Sequence, residues 1–143
     1  MVYYCISTIV QFFILPQAGK GGKMAWQFNQ REPVFLQIAS RLRGDIIRGE
    51  YSPDDQFPSV RQLASVASVN PNTMQKALAY LEDEGILYSK GTAGRFVTSD
   101  ESVLQAAGEK MRRDLVRRII SDANGAGIGA DDLINYIKEV AEV

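Results

Sequence analysis

The chain has 143 residues, 45% hydrophobic and 23% charged, with 16 Lys plus Arg against 17 Asp plus Glu and no histidine. This is a globular composition for one ordinary domain or two very small ones, and the near-neutral balance confines any nucleic-acid footprint to a local patch. Without histidine the commonest general base and metal ligand are missing, and a lone Cys5 can form neither an internal disulfide nor a zinc cluster, so we expect a reducing, cytoplasmic setting with no metal or cofactor.

The chain opens with "MVYYCISTIVQFFILP", apolar and aromatic, followed by the Gly/Lys-rich "QAGKGGKM". The apolar run falls short of the roughly 20 residues a membrane-spanning helix requires. It also lacks the charged start and small-residue cleavage site of a secretory signal. Lys20-Gly21-Gly22-Lys23-Met24 must be encoded AAR-GGN-GGN-AAR-ATG, which can hold a purine-rich ribosome-binding site before a start codon. We expect residues 1–23 to be a translated leader or disordered extension; a weak membrane tether and an interaction arm are the alternatives.

From Met24 the pattern is regular. Pro33 suits the first turn of a helix that Gly49 closes, with Val34, Phe35, Ile38, Leu42 and Ile46 as its apolar stripe. "EYSPDDQF" is a loop with room for a short strand at Gln56-Phe57. Ser59 followed three residues later by Gln62 is a capping box. It opens a short helix whose core face is Val60, Leu63, Ala64 and Ala67. Asn70 then caps the next helix, with Pro71 in its first turn. Gly85 closes that helix, and Ile86–Tyr88 and Phe96–Thr98 read as strands around a turn bracketed by Gly91 and Gly94. Two short helices joined by a tight turn, followed at once by a hairpin, predict a winged helix-turn-helix over 24–99, in a mainly α fold with a small β-hairpin (α+β). Residues 100–143 read as two helices around "NGAGIG", capped by Ser99 or Asp100, a C-terminal tail with Arg112, Arg113, Arg117 and Arg118 on a solvated face.

The helix after Asn70 carries the chemistry. Met74, Ala77, Leu78 and Leu81 repeat at helical spacing and must face the core, leaving Asn72, Gln75, Lys76 and Ala79 outside. Asn and Gln amides match the donor and acceptor edge of adenine in the major groove, and Lys76 suits a phosphate or a guanine. Glu82, Asp83 and Glu84 at the far end oppose the helix dipole and would be repelled by phosphates, so the helix should enter DNA by its N-terminus. Basic residues stand where a winged helix meets the backbone: Arg61 in the preceding helix, and Lys90 and Arg95 at the hairpin, although Arg95 reads equally well as a solvated strand residue.

The stretch "FPSVRQLASVASVNPNTMQKALAYLEDEGILYSKGTAGRFV" resembles the DNA-binding domain of GntR-type bacterial transcription regulators. The matching residues are Pro58-Ser59, Arg61, Leu63-Ala64, Thr73, Ala77, Leu81-Glu82, Gly85, Gly94 and Phe96-Val97. The short tail and "NPNT" resemble the small YtrA-type branch of that family. Two positions depart from the pattern: Ala67-Ser68 replaces a leucine and a glycine common in the turn, and Leu78 replaces a frequent tyrosine. The resemblance implies a homodimeric repressor on a palindromic operator, often of a transporter operon. Carried over, the DNA contacts fall on Arg61, Asn70, Pro71, Asn72, Thr73, Gln75, Lys76, Lys90, Gly91 and Thr92, and Ser59 and Arg95 complete the expected DNA-binding set.

A single head reads too few base pairs to find one genomic site, which favours a dimer. The tail stripe of Val103, Leu104, Ala107, Met111, Leu115 and Ile119, with Leu133, Ile134, Ile137 and Val140, exceeds what its own hairpin can bury, so we expect these residues at a twofold interface. A small-molecule effector between helices at that interface stays open. The rival reading is a winged helix that binds protein, which would leave its recognition face free to be apolar. An enzyme has little to work with, since Asp54-Asp55 and Asp131-Asp132 read as loop and helix-start acids.

Overall fold

The computed structural model describes residues 26–142. The expectations for residues 1–23 and for a start at Met24 lie outside them. One compact unit runs Met24–Leu115, and Val116–Val143 belongs to a second.

In the first unit, helix α1 (Val34–Ile47) begins immediately after Pro33, whose carbonyl takes the N–H groups of Leu36 and Gln37. Proline thus stands one residue before the expected first-turn position. α2 (Val60–Ala67) starts at the expected capping box: Ser59 Oγ accepts from Gln62 N–H, and Gln62 Oε1 accepts from Ser59 N–H. α3 (Pro71–Asp83) is capped by Asn70, whose side-chain oxygen accepts the Asn72 N–H at 2.8 Å. Between α2 and α3 the chain turns through Ser68 at φ +54°. A glycine reaches this left-handed conformation without cost, whereas a serine must be held there by its surroundings.

α3 is the centre of the head, with α1 and α2 packed against it and β1 (Leu87–Ser89) at its end. Its apolar stripe, Met74, Ala77, Leu78 and Leu81, is wholly buried beside Ile38, Leu42, Leu63 and Val97. β1 pairs antiparallel with β2 (Arg95–Val97) in the register Leu87↔Val97, Tyr88↔Phe96, Ser89↔Arg95. The expected strands extended one residue further at the base, where Thr98 N–H still donates to the Ile86 carbonyl. The 3₁₀ turn Gly91–Ala93 caps the hairpin, and Gly94 follows at φ +100°, ψ −156°, a conformation open essentially to glycine alone. The short strand expected at Gln56-Phe57 is a single bridge, Gln56↔Phe96.

α4 (Glu101–Gly125) starts at Asp100, whose carboxylate accepts from the Ser102 hydroxyl and from the N–H groups of Ser102 and Val103; these bonds hold its pKa below the usual aspartate range. Val103, Leu104 and Ala107 pack on the core of the head. Further along, Gly108 and Gly44 leave room for α4 against α1, with Ile47 close to the one and the Met111 sulfur close to the other. Within one chain, Val103, Leu104, Ala107 and Met111 thus lie against the head, and the first unit runs past residue 99 to Leu115.

In the second unit α4 ends near Gly127, at φ +77°, where Ile128 N–H reaches back to the Ala123 carbonyl. α5 (Ala130–Ala141) follows, with Asp131 and Asp132 in its first turn. Among the described residues the fold is therefore mainly α with one two-stranded hairpin, a winged helix-turn-helix followed by helices.

Candidate nucleic-acid interface

The outer face of α3 is polar at its N-terminal end. Asn72, Gln75 and Lys76 are exposed, Thr73 and Ala79 half-buried, and Pro71 exposed ahead of them. The burial of Met74, Ala77, Leu78 and Leu81 fixes the helix rotation and so fixes this presentation. The free helix amides are fewer than an open N-terminus would offer. Asn70 takes the N–H of Asn72 on its side chain and those of Thr73 and Met74 on its carbonyl. What this end offers a ligand is therefore side chains rather than backbone amides. Asn70 and Pro71 build the helix start; Asn72 and Gln75 present exposed amides of the kind that match a base edge.

Lys76 sits at the flank. Its ammonium lies 4.1 Å from the centroid of the Phe35 ring on α1, and Phe35 in turn meets Tyr80 edge-on at 6.2 Å. A cation held over a ring face keeps its outer donors available, as suits a phosphate contact. Arg61 is exposed in the first turn of α2 beside Ser59. Ser59 accepts the Gln62 N–H through a lone pair, so its hydroxyl proton can still be donated to a phosphate.

At the hairpin, Gly91 and Thr92 are exposed in the turn and Lys90 reaches over Phe96, 5.6 Å from ring centroid to ammonium. Arg95 behaves differently. Its Nε donates to Glu82 Oε1, the oxygen that also accepts from Ser89 Oγ at 2.7 Å. The structure thus draws Arg95 against α3.

The acids at the far end of α3 have partners as well. Arg43 of α1 binds Glu84 through Nη2 at 2.6 Å and Nε at 3.0 Å. This pair and the Glu82–Arg95 pair neutralise two of the three carboxylates expected to repel DNA, leaving exposed Asp83 among them. Both contacts join residues distant in sequence, and no local signal announces them.

In the second unit, Ile119, Ile134, Ile137 and Val140 are exposed, while Leu133 is half-buried, as is Leu115 at the end of the first unit. Three further exposed apolar side chains escaped the sequence reading: Val116, Ile120 and Tyr136. Their spacing from Ile119, Leu133 and Ile137 was the available sign. Also on α4, Arg112 and Arg113 both bind Glu109, whose acidity they strengthen. Among the described residues no helix is long and apolar enough to cross a membrane.

Comparison with known proteins agrees with this geometry. The sequence profile described as "Bacterial regulatory proteins, gntR family" matches residues 35–97. The HTH-type transcriptional repressor YtrA of Bacillus subtilis is 32% identical over 110 residues, covering 76% of this chain and 85% of that one. An uncharacterized HTH-type regulator of the same organism, YhcF, is 28% identical over 116 residues, covering 81% and 96%. Among solved structures, a GntR family transcriptional regulator from Listeria monocytogenes superposes with a TM-score of 0.70 at 30% identity, covering 78% of this chain and 98% of its own. The chain therefore belongs to the gntR family of bacterial regulatory proteins, alongside its short YtrA-like members, and is a winged helix-turn-helix transcription regulator.

Proposed function

We propose that the protein binds a palindromic DNA operator as a homodimer and represses transcription from it in the bacterial cytoplasm; a transporter operon is the target class its family resemblance implies. The observation that carries this reading is the asymmetry of α3. One face is fully buried, its N-terminal front shows Asn72, Gln75 and Lys76 to solvent, and two acids at its other end are held in ion pairs. In this reading Asn72 and Gln75 meet base edges. Ser59, Arg61 and Lys76 hold phosphates, and Lys90, Gly91 and Thr92 bring the hairpin to an adjacent stretch of backbone.

Homodimerisation is supported by the apolar side chains that the tail helices leave in water, Val116, Ile119 and Ile120 on α4 and Ile134, Tyr136, Ile137 and Val140 on α5. Such a surface is at home against a second copy, and two heads then read two half-sites. Selection of bound sequences from random duplex DNA tests the proposal. A palindromic consensus with half-sites about one helical turn apart (~34–36 Å), or a multiple of that, is expected. Absence of enrichment would contradict it and favour a winged helix that binds protein.

A further inference from the structure

A wing contributes to reading DNA only when it is held at a fixed offset from the recognition helix, because loosely supported contact groups lose affinity and selectivity. In this head one carboxylate oxygen supplies that support. Glu82 lies in the last turn of α3, and its Oε1 accepts from Ser89 Oγ at the end of β1 and from Arg95 Nε at the start of β2. Ser89 and Arg95 are partners across the hairpin, so Glu82 grips both strands at the end nearest the turn. The Arg95 and Glu82 side chains are only 18% and 28% exposed. On its other edge the hairpin is held by Gln56, whose amide donates to the Ala93 carbonyl at 2.8 Å, and by Tyr88, whose hydroxyl donates to Asp54.

We infer that Arg95 and Glu82 form a positioning pair that sets the wing against the recognition helix, and that Arg95 serves DNA reading through this contact rather than by meeting DNA itself. The inference rests on the DNA-binding reading above. Charge supports it. Were Arg95 to leave for a phosphate, Glu82 would remain as an unpaired carboxylate near the DNA backbone, whereas the closed pair presents no net charge there.

The test uses the full chain and the variants Glu82→Gln, Arg95→Met and the double substitution. Two readouts are needed. The first is hydrogen exchange without DNA at the amides of Lys90 and Ala93, which bond to the Gly94 and Lys90 carbonyls, with the buried amides of α3 as an internal folding control. The second is the ratio of affinities for the selected operator and for the same duplex altered at the outer, wing-facing positions; overall charge effects cancel in this ratio. Each single variant is expected to speed exchange in the hairpin while α3 stays protected. Each is also expected to lower the affinity ratio about two- to fivefold, the range of a partly exposed ion pair, and the double variant by no more than either single one. A drop in the ratio for Arg95→Met alone, with Glu82→Gln unchanged or sharper, would show Arg95 to be a direct DNA contact and overturn the inference. Unchanged hairpin exchange in both variants would overturn it too. If the wild-type chain shows no sequence-selective binding while hairpin exchange responds as expected, the DNA-binding reading has failed and the pair is purely structural.

Discussion

In the head, Ile38, Met74, Leu78 and Leu81 are completely buried, and the neighbouring α4 residues Val103, Leu104 and Ala107 close over the same core. In the tail, by contrast, Ile134, Ile137 and Val140 are 49%, 51% and 67% exposed, and Ala123 is the one apolar side chain buried among the described residues of that unit. The head thus draws its stability from contacts within one chain, which do not depend on protein concentration. The tail keeps apolar area in water that a second copy can remove, and stability gained that way follows mass action. In the proposed function reading falls to the head and assembly to the tail, and substitutions should separate them.

The largest effect is expected inside the head. Leu78→Ala leaves a cavity at the centre of α3 and should cost about 2–5 kcal/mol in denaturant unfolding, equally at all protein concentrations. A concentration-dependent loss would mean that the head needs its mate to fold. In the tail, Ile137→Asp should leave head unfolding unchanged yet yield monomers by sedimentation, with operator affinity down about a hundredfold as the two heads lose their linkage. A dimer that survives this change would remove α5 from the interface. A shortened chain sharpens the same point. A cut after Thr98 would strip Val103, Leu104 and Ala107 from the head core, so the informative truncation follows Leu115: it should be folded, monomeric and weak on operator DNA.

Smaller effects test the joints of the head. Gly85 ends α3 at φ +75°, where a side chain is strained even though space is available, so Gly85→Ala should lower stability by about 1–2 kcal/mol. Ser59→Ala removes one half of the capping box and should cost about 1 kcal/mol, read from thermal unfolding, in addition to weakening DNA binding. Smallest of all, Ser68→Gly should shift stability upward by less than about 1 kcal/mol, since relief of the left-handed backbone is partly offset by the freer unfolded chain. A clear loss would mean that the Ser68 side chain has a role of its own.

The contrast between the units also shows what a sequence discloses. The Ser59–Gln62 box, the Asn70 cap and the buried stripe of α3 were all legible, because each is a local pattern enforced by backbone hydrogen bonding or helical period. The position of the polar outer face followed from that stripe, since one buried face leaves one outer face. The partners of distant side chains were not legible: Arg43 with Glu84, Arg95 with Glu82, Lys76 over Phe35 and Arg41 over Trp26 depend on how elements meet in space. The stripe of α4 shows the same limit in another form. Periodicity identified Val103, Leu104, Ala107 and Met111 as a face to be covered, but not that the head itself covers it.

The central claim is that the front of α3 reads bases while Lys76 holds backbone, and equilibrium binding to the selected operator and to random duplex across a salt series tests it most directly. For the wild-type chain, log affinity should fall linearly and steeply with log salt, with the operator preferred throughout. Gln75→Ala should lose preference at one base-pair position per half-site, whereas Lys76→Ala should weaken all sequences alike and reduce the salt slope by about one per head. Equal losses on operator and random DNA in both variants, or a wild-type chain without preference, would contradict it.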